Sequence, residues 1–383
     1  MSDLAALIRP GDGLIWGQAC AEPQTLVELL VSQRAALGGV QCFVGSSYSG
    51  ILKPEHADHL RLSSYCGTGT NRMLADRGAL ELLPAPYSQL GTLIRDGKIR
   101  CDVLLLQVSP ANARGEYSLG LAADYLVPAL DMCRTLLVEV NAQVPWTHSE
   151  RLLTDADFDL RIESDRAPAR PRARPPSELE LAIARNAVPF IPQGAVLEFG
   201  IGTLPEAVCS LLLHHQGLRV HSGTVGDGVV ELAHRGVVGR VDAAMLIGSA
   251  KLFDFARDNA QVRLRSSEYT HGAAVLAKQP RFVALNSAVE VDFTGQANGE
   301  LAAGSYIGAV GGALDFVRAA NQCPGGVSLL LLPADRVVQK LGGPVSVPRS
   351  EAGVIVTEKG AADLRGCSLR ERERRMRAIS GSS

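Results

Sequence analysis

The sequence predicts an α/β protein built from two open, mostly parallel-sheet domains that duplicate one another. Three observations carry this expectation. Short runs of Val, Leu and Ile, such as CDVLLLQVSP from residue 101, VDAAMLIGS from 241, RFVALNSAV from 281 and AGVIVTE from 352, alternate with helix-like stretches. That is the pattern of strands buried on both faces of a sheet. Two segments recur at similar offsets: GDGLIWGQACAEPQTLVELL reappears as GAVLEFGIGTLPEAVCSLLL, with Pro23 and Pro205 separated by 182 positions. Gly120-x-x-x-Asp124-Tyr125 before TLLVEVN likewise reappears as Gly311-x-x-x-Asp315-Phe316 before GVSLLLLP, 191 positions later. Two anchors at nearly one offset imply a duplicated unit. Finally, IESDRAPARPRARPPSE at 162–178 is rich in proline and arginine and almost free of apolar residues, which reads as a solvated linker. The expected division is a first domain over 1–161, a linker over 162–178 and a second domain over 179–383.

Composition agrees with two folded domains. The chain has 383 residues, 46% of them apolar and 20% charged, ordinary for globular protein. Thirty-eight basic residues oppose 40 acidic ones, without the basic surplus of a nucleic-acid binder. No leader pattern opens the chain and no unbroken apolar run of membrane-spanning length occurs, so a cytoplasmic protein is expected. The eight cysteines are scattered without a CxxC pair, which fits free thiols in a reducing compartment. The histidine and cysteine spacings give no metal site.

Three segments have the make-up of ligand sites. In Glu198-Phe199-Gly200-Ile201-Gly202-Thr203-Leu204-Pro205, an apolar run enters a glycine turn and then a proline suited to the first turn of a helix, an arrangement that presents backbone N–H groups to an anion. Around Gly308, Gly311 and Gly312, glycines again precede a helical pattern and offer N–H groups for an oxyanion. In Asn286–Gln296, alternation places Glu290 and Asp292 on one face of an extended segment, where carboxylates serve as acid or base. A tight turn explains either glycine cluster equally well, and edge charges explain the carboxylates.

These segments, with RPGD, VSPANARGEYSLG, VEVNAQVP, VHSGTVGDGVVEL, SAKLFDFA, NSAVEVDFTGQAN, GAVGGALDF and VIVTEKGAADLRG, resemble in order and approximate spacing the acetyl-CoA hydrolase/transferase family of class I CoA-transferases. The resemblance implies two domains of the CoA-transferase fold, acyl-CoA held mainly by the second, no permanently bound cofactor, a small carboxylate as possible co-substrate, and a homo-oligomer or a paired homologous subunit. It places CoA contacts on Gly200, Ile201, Gly202, Thr203, Leu204, Val289 and Gly312. The family's nucleophile is a glutamate, attacked onto the thioester to give an acyl-glutamyl anhydride and then a glutamyl-CoA thioester. Here the matching stretch reads His221-Ser222-Gly223-Thr224, and Gly223 stands where that glutamate is expected. Glu198 and then Glu290 are the candidate substitutes, as general bases toward water, and Ser222 with His221 is a weaker one because neighbours on a strand face opposite ways; the expectation is that no simple replacement nucleophile exists. The chain also looks shorter than its relatives, near residues 236–242 and at its end. Three functional readings stay open: water-mediated hydrolysis of a thioester or of a β-keto C–C bond, CoA transfer through a displaced carboxylate, and a non-catalytic acyl-CoA binder or partner subunit.

Overall fold

A computed structural model describes residues 3–172, 174–200 and 202–381. It divides the chain into two compact units, one formed by Met1–Pro171 with Ala244–Tyr269 and Ser305–Ile307, the other by Arg172–Ala243, Thr270–Gly304 and Gly308–Ser383. The chain therefore re-enters the first unit twice beyond the boundary read from composition. The linker is also shorter than expected, because Ile162, Glu163 and Ser164 belong to a strand. Leu160 and Ile162 are half-buried while Arg161 and Glu163 are exposed, so alternation at a sheet edge hides a strand inside a charged segment.

In the first unit the labelled elements are β1 (Gly13–Trp16), α1 (Gln24–Gln33), β2 (Val40–Phe43), β3 (Leu60–Ser64), α2 (Asn71–Asp76), β4 (Leu80–Leu82), α3 (Leu90–Arg95), β5 (Val103–Val108), α4 (Leu126–Met132), β6 (Thr135–Asn141) and β7 (Leu160–Ser164). The strands form one sheet in the order β7-β6-β5-β1-β2-β3-β4, with every pair parallel. All residues of β1, β5 and β6 are buried, as the continuous apolar runs require when helices cover both faces.

The second unit contains α5 (Glu178–Ala187), β8 (Val196–Phe199), α6 (Thr203–Leu211), β9 (Leu218–Val225), α7 (Gly228–His234), β10 (Val238–Leu246), β11 (Phe282–Ser287), β12 (Glu290–Asp292), α8 (Ala313–Gln322), β13 (Val327–Leu331), β14 (Val354–Thr357), β15 (Gly360–Asp363) and α9 (Leu369–Ile379). Its main sheet runs β15-β14-β13-β11-β8-β9-β10. The pairs β8·β9, β8·β11, β11·β13 and β13·β14 are parallel, and β15 returns antiparallel to β14. The lateral order β14-β13-β11-β8-β9-β10 repeats β7-β6-β5-β1-β2-β3 strand for strand, so the duplication inferred from two short anchors extends through both sheets. The second anchor also repeats in backbone shape: Gly120 and Gly311 both have positive φ, 67° and 57°, a conformation that favours glycine.

The first unit buries an unusual set of polar groups. Gln18 Nε2 donates to Tyr87 Oη at 2.7 Å and to Asp124 Oδ2 at 2.8 Å, while Tyr65 Oη donates to Gln18 Oε1. Glu22, 1% exposed, accepts from the hydroxyls of Ser47 and Ser49. Burial pushes the Glu22 carboxyl up to about 7 and that of Asp124 up to about 6. The folded chain thus holds protons that the unfolded chain releases near pH 4 to 5. The stability this provides is complete below the ordinary carboxyl range and is lost as pH rises through the raised values. Replacing Glu22 by Gln is expected to favour the variant relative to the parent by on the order of 3 kcal/mol between pH 4.5 and 8. Urea unfolding of both chains across that range measures it, and parallel pH profiles would contradict it.

All eight cysteines are free, six of them buried. Among the described residues no helix is long and apolar enough to cross a membrane, and no cluster of three His, Cys, Asp or Glu side chains forms a metal site.

Candidate functional site

In the second unit the strands diverge in connection between β8 and β11: the chain proceeds from β8 outward through β9 and β10, then crosses back to β11. Open parallel sheets bind ligands beyond the carboxyl ends of strands at such a switch point. The glycine turn after β8 lies there. Gly200 N–H donates to Leu285 O of β11 at 2.7 Å, and a Cβ on Gly200 would lie 3.0 Å from Asn286 Oδ1 and 3.4 Å from Leu285 O. Close approach to β11 therefore accounts for Gly200, and its N–H is spent within the sheet. Gly202 is a glycine for another reason, its φ of +128° with open space around it. Ile201 lies outside the described residues. Gly202, Thr203 and Leu204 lead into α6, whose first-turn N–H groups have no partners within the helix, and Pro205 sits buried in that turn.

Thr203 is tied down from the other side. Its hydroxyl donates to Glu180 Oε1, and Arg174 grips both oxygens of Glu180 at 2.7 Å while its Nη2 lies 3.2 Å from Thr203 Oγ1. The Arg174 guanidinium holds the Glu180 carboxyl far below the usual carboxylate range. Glu180 also closes a capping box with Ser177 at the start of α5. One arginine of the proline-rich segment is thus fixed beside the first turn of α6.

Glu198 is placed on β8 two residues before the turn, but inside the sheet. It is 2% exposed, and Asn286 Nδ2 donates to its Oε2 at 2.7 Å. Burial pushes its carboxyl well above the ordinary value, against the hydrogen bonds from Asn286 and the Leu285 backbone. Burial of this kind disfavours the charged form that the base role expected of Glu198 requires. Glu290, at the start of β12, is half-buried, and its Oε1 accepts from Gly342 N, Gly343 N and Asn298 Nδ2 at 2.7, 3.0 and 3.0 Å. Its carboxylate holds a loop. Ser222 is fully buried, donating to Phe199 O and Thr224 O and accepting from Phe199 N, so it stitches β9 to β8 rather than facing a substrate. Val289 is half-buried and donates to Asn298 O at 2.9 Å. Gly308 N–H is likewise used, donating to Glu300 O, and Gly299 O would lie 1.9 Å from a Cβ there. It is a close-packing glycine and not a free oxyanion donor.

Gly223, on β9 beside the end of β8, meets a side chain that the sequence reading passed over. The three atoms nearest a Cβ built on Gly223 are Cε1 and Nε2 of His271, both at 3.0 Å, and Cε2 of Phe316 at 3.6 Å. A Cβ on Gly312, the residue that caps α8, would lie 2.4 Å from the same Nε2 and 2.6 Å from Cδ2. The His271 imidazole thus fills the gap between Gly223 and the start of α8. It is 4% exposed and packs on Phe316 with ring centroids 4.5 Å apart. Its Nδ1 lies 2.9 Å from Thr270 Oγ1. Thr270 is fixed in turn by His221, whose Nε2 donates to Thr270 O at 2.9 Å, and burial pushes the His221 imidazole down toward its neutral form. Gly311 and Gly312, Val289 and the β8–α6 turn all belong to this unit, and the structure brings Gly223 and Gly312 together on one imidazole. A signal for His271 was present only as a histidine in EYTHGAAV, with nothing local to mark it.

Comparison with known proteins covers most of the chain. The acetyl-CoA hydrolase/transferase N-terminal domain matches residues 1–164, and the C-terminal domain of the same name matches residues 248–383. A 4-hydroxybutyrate coenzyme A transferase from Clostridium kluyveri is 30% identical over 381 residues, covering 94% of this chain and 89% of the relative. An acetyl-CoA hydrolase from Saccharomyces cerevisiae is 27% identical over 241 residues, 56% of this chain and 45% of that protein. The crystal structure of RipA from Yersinia pestis superposes with a TM-score of 0.92 at 26% identity, covering 98% of this chain and 92% of that one.

Proposed function

The chain belongs to the acetyl-CoA hydrolase/transferase family, and from that premise we propose that it cleaves an acyl-CoA thioester by transfer of the acyl group to water. The observation that carries the reading is the nucleophile position: Gly223 has no side chain, and the atoms nearest to it belong to His271 and Phe316, not to a carboxylate. Neither substitute carboxylate favours a covalent route, since Glu198 is buried in the sheet with its charged form disfavoured by desolvation and Glu290 is engaged by the 342–343 backbone. Without a carboxylate to accept the acyl group, water is the remaining acceptor.

CoA is held along the β8–α6 turn at Gly202, Thr203 and Leu204 and against Val289. The thioester carbonyl faces the start of α8, where the N–H groups of Gly311 and Gly312 lie at a helix N-terminus and favour a developing oxyanion. Collapse of the tetrahedral intermediate breaks the C–S bond and releases CoA and a carboxylic acid. The test incubates the purified chain with a panel of acyl-CoAs, with and without acetate, and follows products by mass spectrometry. Free CoA at a rate independent of acetate is the expected result. Acetyl-CoA formed from another acyl-CoA only when acetate is present would establish transfer, as in the Clostridium relative, and overturn hydrolysis.

A further inference from the structure

We propose that a cavity in the first unit, beside the short strand His148–Ser149, is a further anion site that takes a small dicarboxylate; the inference does not depend on the hydrolytic reading. The cavity measures about 360 Å³ and is lined by residues 148–150, Ala260 and residues 263–265, all of which belong to that unit. Such a volume stands at the small end of the range for small-molecule sites, about 300–1,000 Å³. At about 30 Å³ for one water, it accommodates roughly ten non-hydrogen atoms, more than a single inorganic anion needs.

The charge of the lining follows from strand pairing. His148–Ser149 runs parallel to Val262–Leu264 with His148 opposite Arg263, so imidazole and guanidinium share one face of the ribbon. Alternation brings Glu150 and Arg265 to that face as well. Glu150 is the one carboxylate in the lining, and it is already engaged, accepting from Ser266 N at 2.8 Å and Ser266 Oγ at 3.3 Å. Arg263 is exposed and pairs with no carboxylate among the described residues. The guanidinium carbon of Arg265 is held 4.8 Å from the centre of the Tyr269 ring. His148 is fixed between Trp146, edge-on at 5.3 Å, and Asp258, whose Oδ1 lies 3.4 Å from its Nε2. Two arginines against one engaged carboxylate leave a positive surplus. Arg263 presents a planar fork that matches a carboxylate in two-point contact. At about 3.3 Å per residue, Arg265 follows Arg263 by roughly 6.6 Å along the strand, so its charge faces a second carboxylate a few carbons away. Ala260 and Leu264 supply apolar surface for the carbons between.

The experiment titrates the full chain calorimetrically with glutarate, with its uncharged diamide and with inorganic phosphate, in the presence and absence of saturating CoA. Arg263→Gln and Ala260→Trp are compared with the parent, with circular dichroism and urea midpoints showing that each is folded. Both positions are exposed, and either variant tests the site without the other. The parent is expected to bind glutarate and not the diamide, with or without CoA. Arg263→Gln should weaken glutarate by about ten- to a hundredfold, the scale of hydrogen bonds to a charged group. Ala260→Trp should abolish binding by filling the cavity. Glutarate bound equally by all three chains, or displaced by CoA, would put the anion elsewhere and overturn the site. Equal binding of the diamide, phosphate bound more tightly than glutarate with the same dependence on Arg263, or no glutarate binding by the parent would overturn the dicarboxylate assignment.

Discussion

Gly223→Glu alone is expected to leave the chain without CoA transfer, while the same change combined with His271→Ala yields a transferase. The single variant supplies a carboxylate where the family's nucleophile is expected but must place its Cβ 3.0 Å from two atoms of a buried imidazole. His271 cannot swing away freely, because Phe316 backs its face and Gly312 meets its Nε2. Forcing extra atoms into so close a contact costs about 1–3 kcal/mol and drives side chains off their preferred rotamers, so the new carboxylate is misplaced. Removing the imidazole opens the volume between the two glycines, and the glutamate then reaches the thioester beside the same oxyanion donors. Acetate-dependent formation of acetyl-CoA from a second acyl-CoA, read by mass spectrometry, separates the two variants. Equal transfer by the single and double variants would show that His271 does not occupy the nucleophile's space.

Glu198→Gln is expected to keep turnover and to stabilise the chain increasingly as pH rises, whereas Glu198→Ala is expected to cost about 2–5 kcal/mol. The alanine variant leaves a cavity within β8 and strips the acceptor from Asn286 Nδ2, a buried donor whose orphaning carries its own penalty. The damage falls where Gly200 packs against Asn286, so CoA affinity should fall with stability. The glutamine keeps the acceptor and the volume. Because burial raises the Glu198 carboxyl in the fold, the stability linked to its proton is complete below the ordinary carboxyl range and lost as pH climbs through the raised value. Glutamine has no such loss. Denaturant midpoints of the two chains should therefore diverge toward alkaline pH. Loss of turnover in Glu198→Gln with unchanged CoA binding would return Glu198 to a catalytic role.

The duplicated architecture was legible because it is written in local signals: buried apolar runs, glycine turns and a proline at matching offsets all survive in one chain. The sheet order confirms it even where no sequence anchor exists, as in the pairs β2/β9 and β3/β10. The domain boundary was less legible. Ile162 and its neighbours carry enough charge to look like linker, and the return of residues 244–269 to the first unit depends on long-range packing that no window reports. At the site, flanking residues fix the register that puts Gly223 where the family's nucleophile is expected. The imidazole beside it was not legible, since His271 lies 48 positions away in sequence and reaches Gly223 only through the β9 and α8 geometry. For Glu198, position beside a glycine turn suggested contact with ligand, whereas its burial and its bond to Asn286 were not legible because they depend on packing against β11.

The most direct test of the account is a single turnover of acyl-CoA in ¹⁸O-water without acetate, followed by masses of both the released acid and the intact protein. Direct attack by water predicts one ¹⁸O in the acid, free CoA in equal amount, and protein at its native mass throughout. Protein that gains the mass of CoA or of the acyl group during the turnover would reveal a covalent carboxylate intermediate and contradict the account.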